Sequence, residues 1–259
     1  MPSNEVVIAL TFDDGPHAAS DKDNFTLKIN DFLKQNKIAA GFFVQAQVSY
    51  RLNAKGEEVI RTLYKAGHSI QIHTGSPEDH ELYTKRVAKN AYDINGDKKV
   101  DARDGQNALH SDMKYAKKAI SAAIAKVSGN SQAVPQYARA PTGALGNAQT
   151  KKQILDTLKT ENLAHVFWDV DSGDNRTPRP DRDTVVKNIE GDIKAALKTK
   201  NKPYLVVLFH DINPITTNNL SHYITKLEMA VKNQGRMPRF TTNREKLHEI
   251  FDKISSEKQ

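Results

Sequence analysis

Short apolar runs alternate with amphipathic stretches through the first third of the chain. Glu5-Val6-Val7-Ile8-Ala9-Leu10-Thr11-Phe12 is β-rich, nearly uncharged and closed by Asp-Asp-Gly-Pro, which predicts a buried strand. Phe25, Ile29, Phe32 and Leu33 recur at helical spacing and predict an amphipathic helix over residues 21–36. A second strand is expected over Ala39–Val44, a second helix around Val59, Ile60 and Leu63 closed by Gly67, and a third strand over Ser69–His73. This β-α-β-α-β order implies parallel strands joined by crossover helices.

The rhythm breaks between about residues 75 and 130, where a polar stretch up to Gln106 precedes an Ala/Lys-rich helix predicted over Lys114–Val127. Alternation then resumes, with strands predicted at Val134–Arg139, Ala164–Val170 and Tyr204–Phe209 and helices at 149–161, 183–199, 218–232 and 243–254. There is no linker rich in Pro, Gly or Ser and no internal repeat. The economical reading is one α/β barrel-like domain over residues 1–259 with an insertion at about 75–130. In such folds the chemistry sits at the C-terminal ends of the strands.

Those ends carry ionisable groups. The first closes on Asp13 and Asp14, the third on His73, the next on Arg139-Ala140-Pro141-Thr142-Gly143, then Asp171-Ser172-Gly173-Asp174, and the last on His210-Asp211. A buried strand ending in two adjacent carboxylates costs desolvation energy unless a cation, an Arg or a water-filled cleft compensates. The 259 residues include no cysteine, so a transition metal here would have to rest on carboxylate and imidazole. The net charge of +7 comes from basic residues spread along the chain without aromatic interleaving, which argues against nucleic-acid binding. No apolar run approaches the roughly 18 residues of a membrane span, and Met1-Pro2-Ser3-Asn4 does not read as a signal peptide.

Thr11-Phe12-Asp13-Asp14-Gly15-Pro16-His17 resembles the first motif of the polysaccharide deacetylases with a NodB-homology domain, carbohydrate esterase family 4. Four further segments are similar to that family's later motifs, in order: Gly67-His68-Ser69-Ile70-Gln71-Ile72-His73-Thr74, Arg139-Ala140-Pro141-Thr142-Gly143, Asp171-Ser172-Gly173-Asp174-Asn175 and Leu208-Phe209-His210-Asp211. The resemblance implies a distorted (β/α) barrel and a metal-assisted deacetylase, usually with zinc or another divalent transition metal. It implies Asp14 and His73 as metal ligands, Asp13 as general base, Arg139 as the group orienting Asp13, and His210 as general acid. By the same resemblance Asp171 would hydrogen-bond the His210 imidazole, the Thr142 N–H would bind the oxyanion, and Leu208 would line the acetyl pocket. Amide hydrolysis at neutral pH needs these parts: an activated water, a polarised carbonyl and a proton for the leaving group.

The second motif departs from the family. Pro77 stands where a second imidazole belongs. Either His80 takes its place through a longer loop, or Glu78 or Asp79 supplies an oxygen, or the metal and the activity are lost; His80 leads because imidazole is the family's ligand. Thr142 replaces a tyrosine and Asn175 a tryptophan, which points to a more polar groove.

Within the insertion, Asp93-Ile94-Asn95-Gly96-Asp97-Lys98-Lys99-Val100-Asp101-Ala102-Arg103-Asp104 resembles a calcium loop of the EF-hand or dockerin type. Asp93, Asn95, Asp97, the Lys99 carbonyl, Asp101 and Asp104 would ligate a structural Ca2+, although Lys98 replaces the turn glycine and Asp104 the longer Glu. Asp211 is expected to fix its loop, and Asp174 to contact substrate or close a turn.

The sequence thus leads to a deacetylase of an N-acetylated polysaccharide, peptidoglycan or chitin-like, acting outside the cytoplasm, secreted, periplasmic or wall-associated. No protein partner is implied. The competing readings are a catalytically silent carbohydrate-binding protein on the same fold, motivated by Pro77, and an amide hydrolase for a small non-sugar substrate.

Overall fold

The computed structural model describes residues 4–17, 19–46, 52–73, 102–129, 134–143, 148–199 and 202–257. The chain divides into two compact units, one of Met1–Phe42, Thr62–Ser69 and Phe167–Gln259, the other of Phe43–Arg61 and Ile70–Val166.

The first unit is organised around β1 (Glu5–Asp13), whose last six residues are all buried. β7 (Tyr204–His210), buried at every position, lies parallel to it in a register that runs from Val7 opposite Tyr204 to Asp13 opposite His210. A strand buried on both faces reads as a continuous apolar run, which both strands are. β6 (Val170–Asp171) extends the sheet beyond β7, with Asp171 opposite Leu208, and β8 (Met237–Phe240) pairs in parallel with the start of β1.

Helices cover this sheet. α1 (Phe25–Gln35) begins at Asn24, whose side chain accepts the Leu27 N–H and satisfies an otherwise orphaned donor, and it buries Ile29 and Leu33. α5 (Arg182–Thr199) and α6 (Pro214–Asn233) pack together, and α6 also packs on α1. α6 starts with Pro214, whose missing N–H costs nothing in a first turn, and buries Leu220, Tyr223, Leu227 and Val231 at helical spacing. α7 (Arg244–Glu257) buries Leu247, Ile250, Phe251 and Ile254.

In the second unit β3 (Ser69–His73), β4 (Tyr137–Arg139) and β5 (Ala164–His165) pair in parallel, with His73 opposite Arg139. α3 (Ala102–Ser128) buries Leu109, Met113, Ala116, Ile120 and Ala123 and packs against α4 (Ala148–Thr160). β2 (Gly41–Gln45) and α2 (Ala54–Lys65) complete the described elements.

The sequence-based elements are present with three differences. α3 begins twelve residues before Lys114, inside the stretch read as a polar loop. The strand expected at Ala164–Val170 is two short strands, β5 and β6. β8 was not expected: its half-exposed alternation and Pro238 conceal an edge-type strand. The loop positions Asp93, Asn95, Asp97, Lys99 and Asp101 lie outside the described residues, as do Pro77 and His80, while Asp104 falls in the first turn of α3.

Candidate active site

In the first unit, the register places Asp13 at the end of β1 beside His210 at the end of β7. Both are buried, His210 at 5% exposure. Asp14 follows in the left-handed region at φ 75°, which turns the chain sharply after the strand. The next residue must be small: a Cβ on Gly15 would run into the Asp211 carboxylate. Asp211 is itself buried and anchors this turn. Its Oδ2 accepts the Thr26 hydroxyl at 2.6 Å, that hydroxyl accepts the His17 N–H at 2.9 Å, and the Asp211 N–H donates to the Asp13 carbonyl at 3.3 Å. The ends of β1 and β7 and the start of α1 are thereby tied together. Burial, aided by the negative charges of Asp14 and Asp13 and opposed by the Thr26 hydroxyl, pushes the Asp211 carboxyl up to about 7.

His210 is oriented from one side. Asp174 accepts its Nδ1–H at 2.6 Å and its backbone N–H at 2.9 Å, and also accepts the hydroxyls of Ser172 and Thr216. Burial alone would lower the imidazole pKa; the Asp174 carboxylate, with Asp14 and Asp13 beyond it, outweighs burial and raises it to about 9. The side-chain amide of Asn175 meets Nε2 at 3.0 Å.

This corrects the role expected of Asp171. Its Oδ1 accepts the Gly173 N–H at 2.8 Å, its Oδ2 faces Arg176 at 3.5 Å, and its own N–H donates to Asp192 at 2.9 Å. It shapes the turn through Gly173, at φ 65°, that delivers Asp174 to the imidazole. A second acid three residues after the first, beyond a glycine, was the signal for Asp174. Leu208 is buried two residues before His210 and so shares its face of β7.

In the second unit, His73 Nδ1 lies 2.9 Å from the Arg139 carbonyl. A carbonyl can only accept, so Nδ1 carries a proton, which in the neutral ring leaves the lone pair on Nε2. Arg139 is wholly buried, with its guanidinium stacked 4.1 Å over the Phe43 ring and its Nε donating to the Val166 carbonyl at 2.9 Å. Thr142 follows in the helical turn Pro141–Gly143.

Residues 1–154 match the sequence profile of the polysaccharide deacetylases. The chain belongs to that family.

Among its relatives is a peptidoglycan-N-acetylglucosamine deacetylase of Bacillus cereus, 35% identical over 74 residues, 29% of this chain and 30% of that protein. The peptidoglycan-N-acetylmuramic acid deacetylase of Bacillus subtilis is 29% identical over 228 residues, 86% of this chain and 36% of that protein. The chain thus spans about a third of the length of these curated relatives. The catalytic domain of the peptidoglycan N-acetylglucosamine deacetylase from Eubacterium rectale superposes with a TM-score of 0.61 at 22% identity, covering 94% of this chain and 90% of that one. The fold is therefore the α/β fold of the polysaccharide deacetylases.

Enzymes of this family are generally metal-dependent, and the donors fit a metal. The His73 tautomer is the one a ligating imidazole adopts when its other nitrogen donates to a backbone carbonyl, and Asp14 offers a carboxylate of the same hard-to-borderline class. Among the described residues no group of three or more such donors is gathered. No helix there is long and apolar enough to cross a membrane.

Proposed function

We propose that the protein is a metal-dependent deacetylase of an N-acetylated polysaccharide of the peptidoglycan type. The observation that carries this reading is the pair at the ends of β1 and β7, a buried carboxylate beside a buried imidazole whose Nδ1 is committed to a second carboxylate. That pair supplies what amide hydrolysis needs, a group to accept a proton and a group to donate one.

Asp13 would take the proton of the attacking water, with Arg139 as its orienting residue. His210, kept cationic by Asp174, donates its Nε2 proton to the departing sugar nitrogen. The Thr142 N–H stabilises the oxyanion, and Leu208 lines the pocket for the acetyl methyl. Asp14 and His73, with His80 as third ligand, would hold a divalent ion, zinc by the donor set. Bound there, such an ion would supply an acidified water and polarise the acetyl carbonyl. A separate Ca2+ in the 93–104 loop would order the insertion.

Two considerations favour peptidoglycan. The relatives named above are peptidoglycan deacetylases, and the net charge of +7 suits an anionic polymer. A wall substrate places the enzyme outside the cytoplasm. Acetate release measured on peptidoglycan strands, acetylglucosamine oligomers and acetylated xylan tests the proposal. Release is expected from the first, and from the oligomers more slowly. Release from xylan alone would replace the amide by an ester substrate, and no release from any glycan by metal-loaded protein would favour the silent or small-substrate reading.

A further inference from the structure

The His210 ring has one nitrogen available for exchange with a ligand. Nδ1 is committed to Asp174, and the residue is 5% exposed. The outward nitrogen, Nε2, is met at 3.0 Å by the amide of Asn175. Asn175 is exposed, but its loop is built rather than slack. Asp171 Oδ1 accepts the Gly173 N–H at 2.8 Å, and Asn188 donates to the Ser172 carbonyl at 3.0 Å. A carboxamide can satisfy Nε2 in either state of the ring: its N–H₂ donates to the lone pair of a neutral imidazole, and its oxygen accepts from an imidazolium N–H.

We propose that Asn175 is a displaceable cap on the proton-transferring nitrogen of His210, and so a specificity-determining residue. The amide occupies the position that the nitrogen of an N-acetylated sugar takes when it receives its proton. The inference rests on the reading of His210 as the general acid. Because Asp174 already fixes the ring, Asn175 adds little to its orientation and acts by competition. A substrate must replace the hydrogen bond it breaks. A bond of this kind is worth about fivefold in affinity, so the cap weakens binding of every substrate by about that factor and penalises most those that bring no polar atom to Nε2.

The test uses Asn175→Ala, with Asn175→Gly as a second variant. Carbethoxylation of His210 by diethyl pyrocarbonate at about pH 9, where a fraction of the ring is neutral and nucleophilic, followed by peptide mass spectrometry, reads access to the nitrogen without reference to turnover. The rate is expected to rise about fivefold in both variants. In acetate release from peptidoglycan strands, KM is expected to fall about fivefold with kcat nearly unchanged. An unchanged labelling rate, or a fall in kcat at constant KM, would overturn the cap, the latter showing that Asn175 positions the ring instead. If labelling rises but neither parent nor variant releases acetate from any glycan, the cap stands and the deacetylase reading fails.

Discussion

A buried imidazole between several carboxylates takes its tautomer and charge from the one that meets a ring nitrogen. For His210 that group is Asp174, and Asp171 serves the turn that brings Asp174 there. Replacement of Asp174 by Asn removes the charge that outweighs burial of the imidazole, so the acid form is lost at neutral pH. Steady-state kinetics of Asp174→Asn should show kcat lower by about 100-fold or more, within the range general acid catalysis contributes. Asp171→Asn keeps an acceptor for the Gly173 N–H and should stay within about threefold of the parent. Equal losses in the two variants would return the role to Asp171. The carboxylates, the imidazole and the Arg were legible in the sequence because each closes an apolar run. Which of two acids three residues apart reaches the ring was not, because a left-handed glycine between them decides it.

Buried polar groups also shape the elements. His68 immediately precedes β3 with no exposed surface, its Nδ1 accepting the Ala40 N–H at 3.1 Å and its ring edge-on to Phe42 at 5.2 Å. Burial, with a smaller push from the Arg244 cation, lowers its pKa from 6.5 to about 4. Above pH 6.5 the ring is neutral in both folded and unfolded chains. As the pH falls from there towards 4, the unfolded chain gains a proton that the folded one refuses, and stability is lost by about 3 kcal/mol. Urea melts at pH 7 and pH 4.5 should show this loss, and His68→Asn, which keeps an acceptor but does not titrate, should show much less of it. An identical pH slope in the variant would refute the assignment. The strand itself was legible from its apolar alternation. β8 was not, because a half-exposed strand containing proline carries no such pattern. Nor was the early start of α3, because its first turns are polar and only the later ones, from Leu109, show the helical period.

For the whole molecule, most of the order of strands and helices followed from hydropathy, because parallel strands buried on both faces leave an unmistakable trace. Five motifs in order pointed to the family, and the match over residues 1–154 with the fold likeness over 94% of the chain agrees. Composition contributed one constraint of lasting value: without cysteine, any transition metal must be held by carboxylate and imidazole. The central claim is that Asp13 and His210, side by side on β1 and β7, perform acid–base hydrolysis of an acetamido group. Its most direct test is acetate release from peptidoglycan strands by the metal-loaded protein beside its Asp13→Asn variant. The account predicts steady release by the parent and a fall of about 100-fold or more in the variant at unchanged metal content. Equal release by both proteins would contradict it.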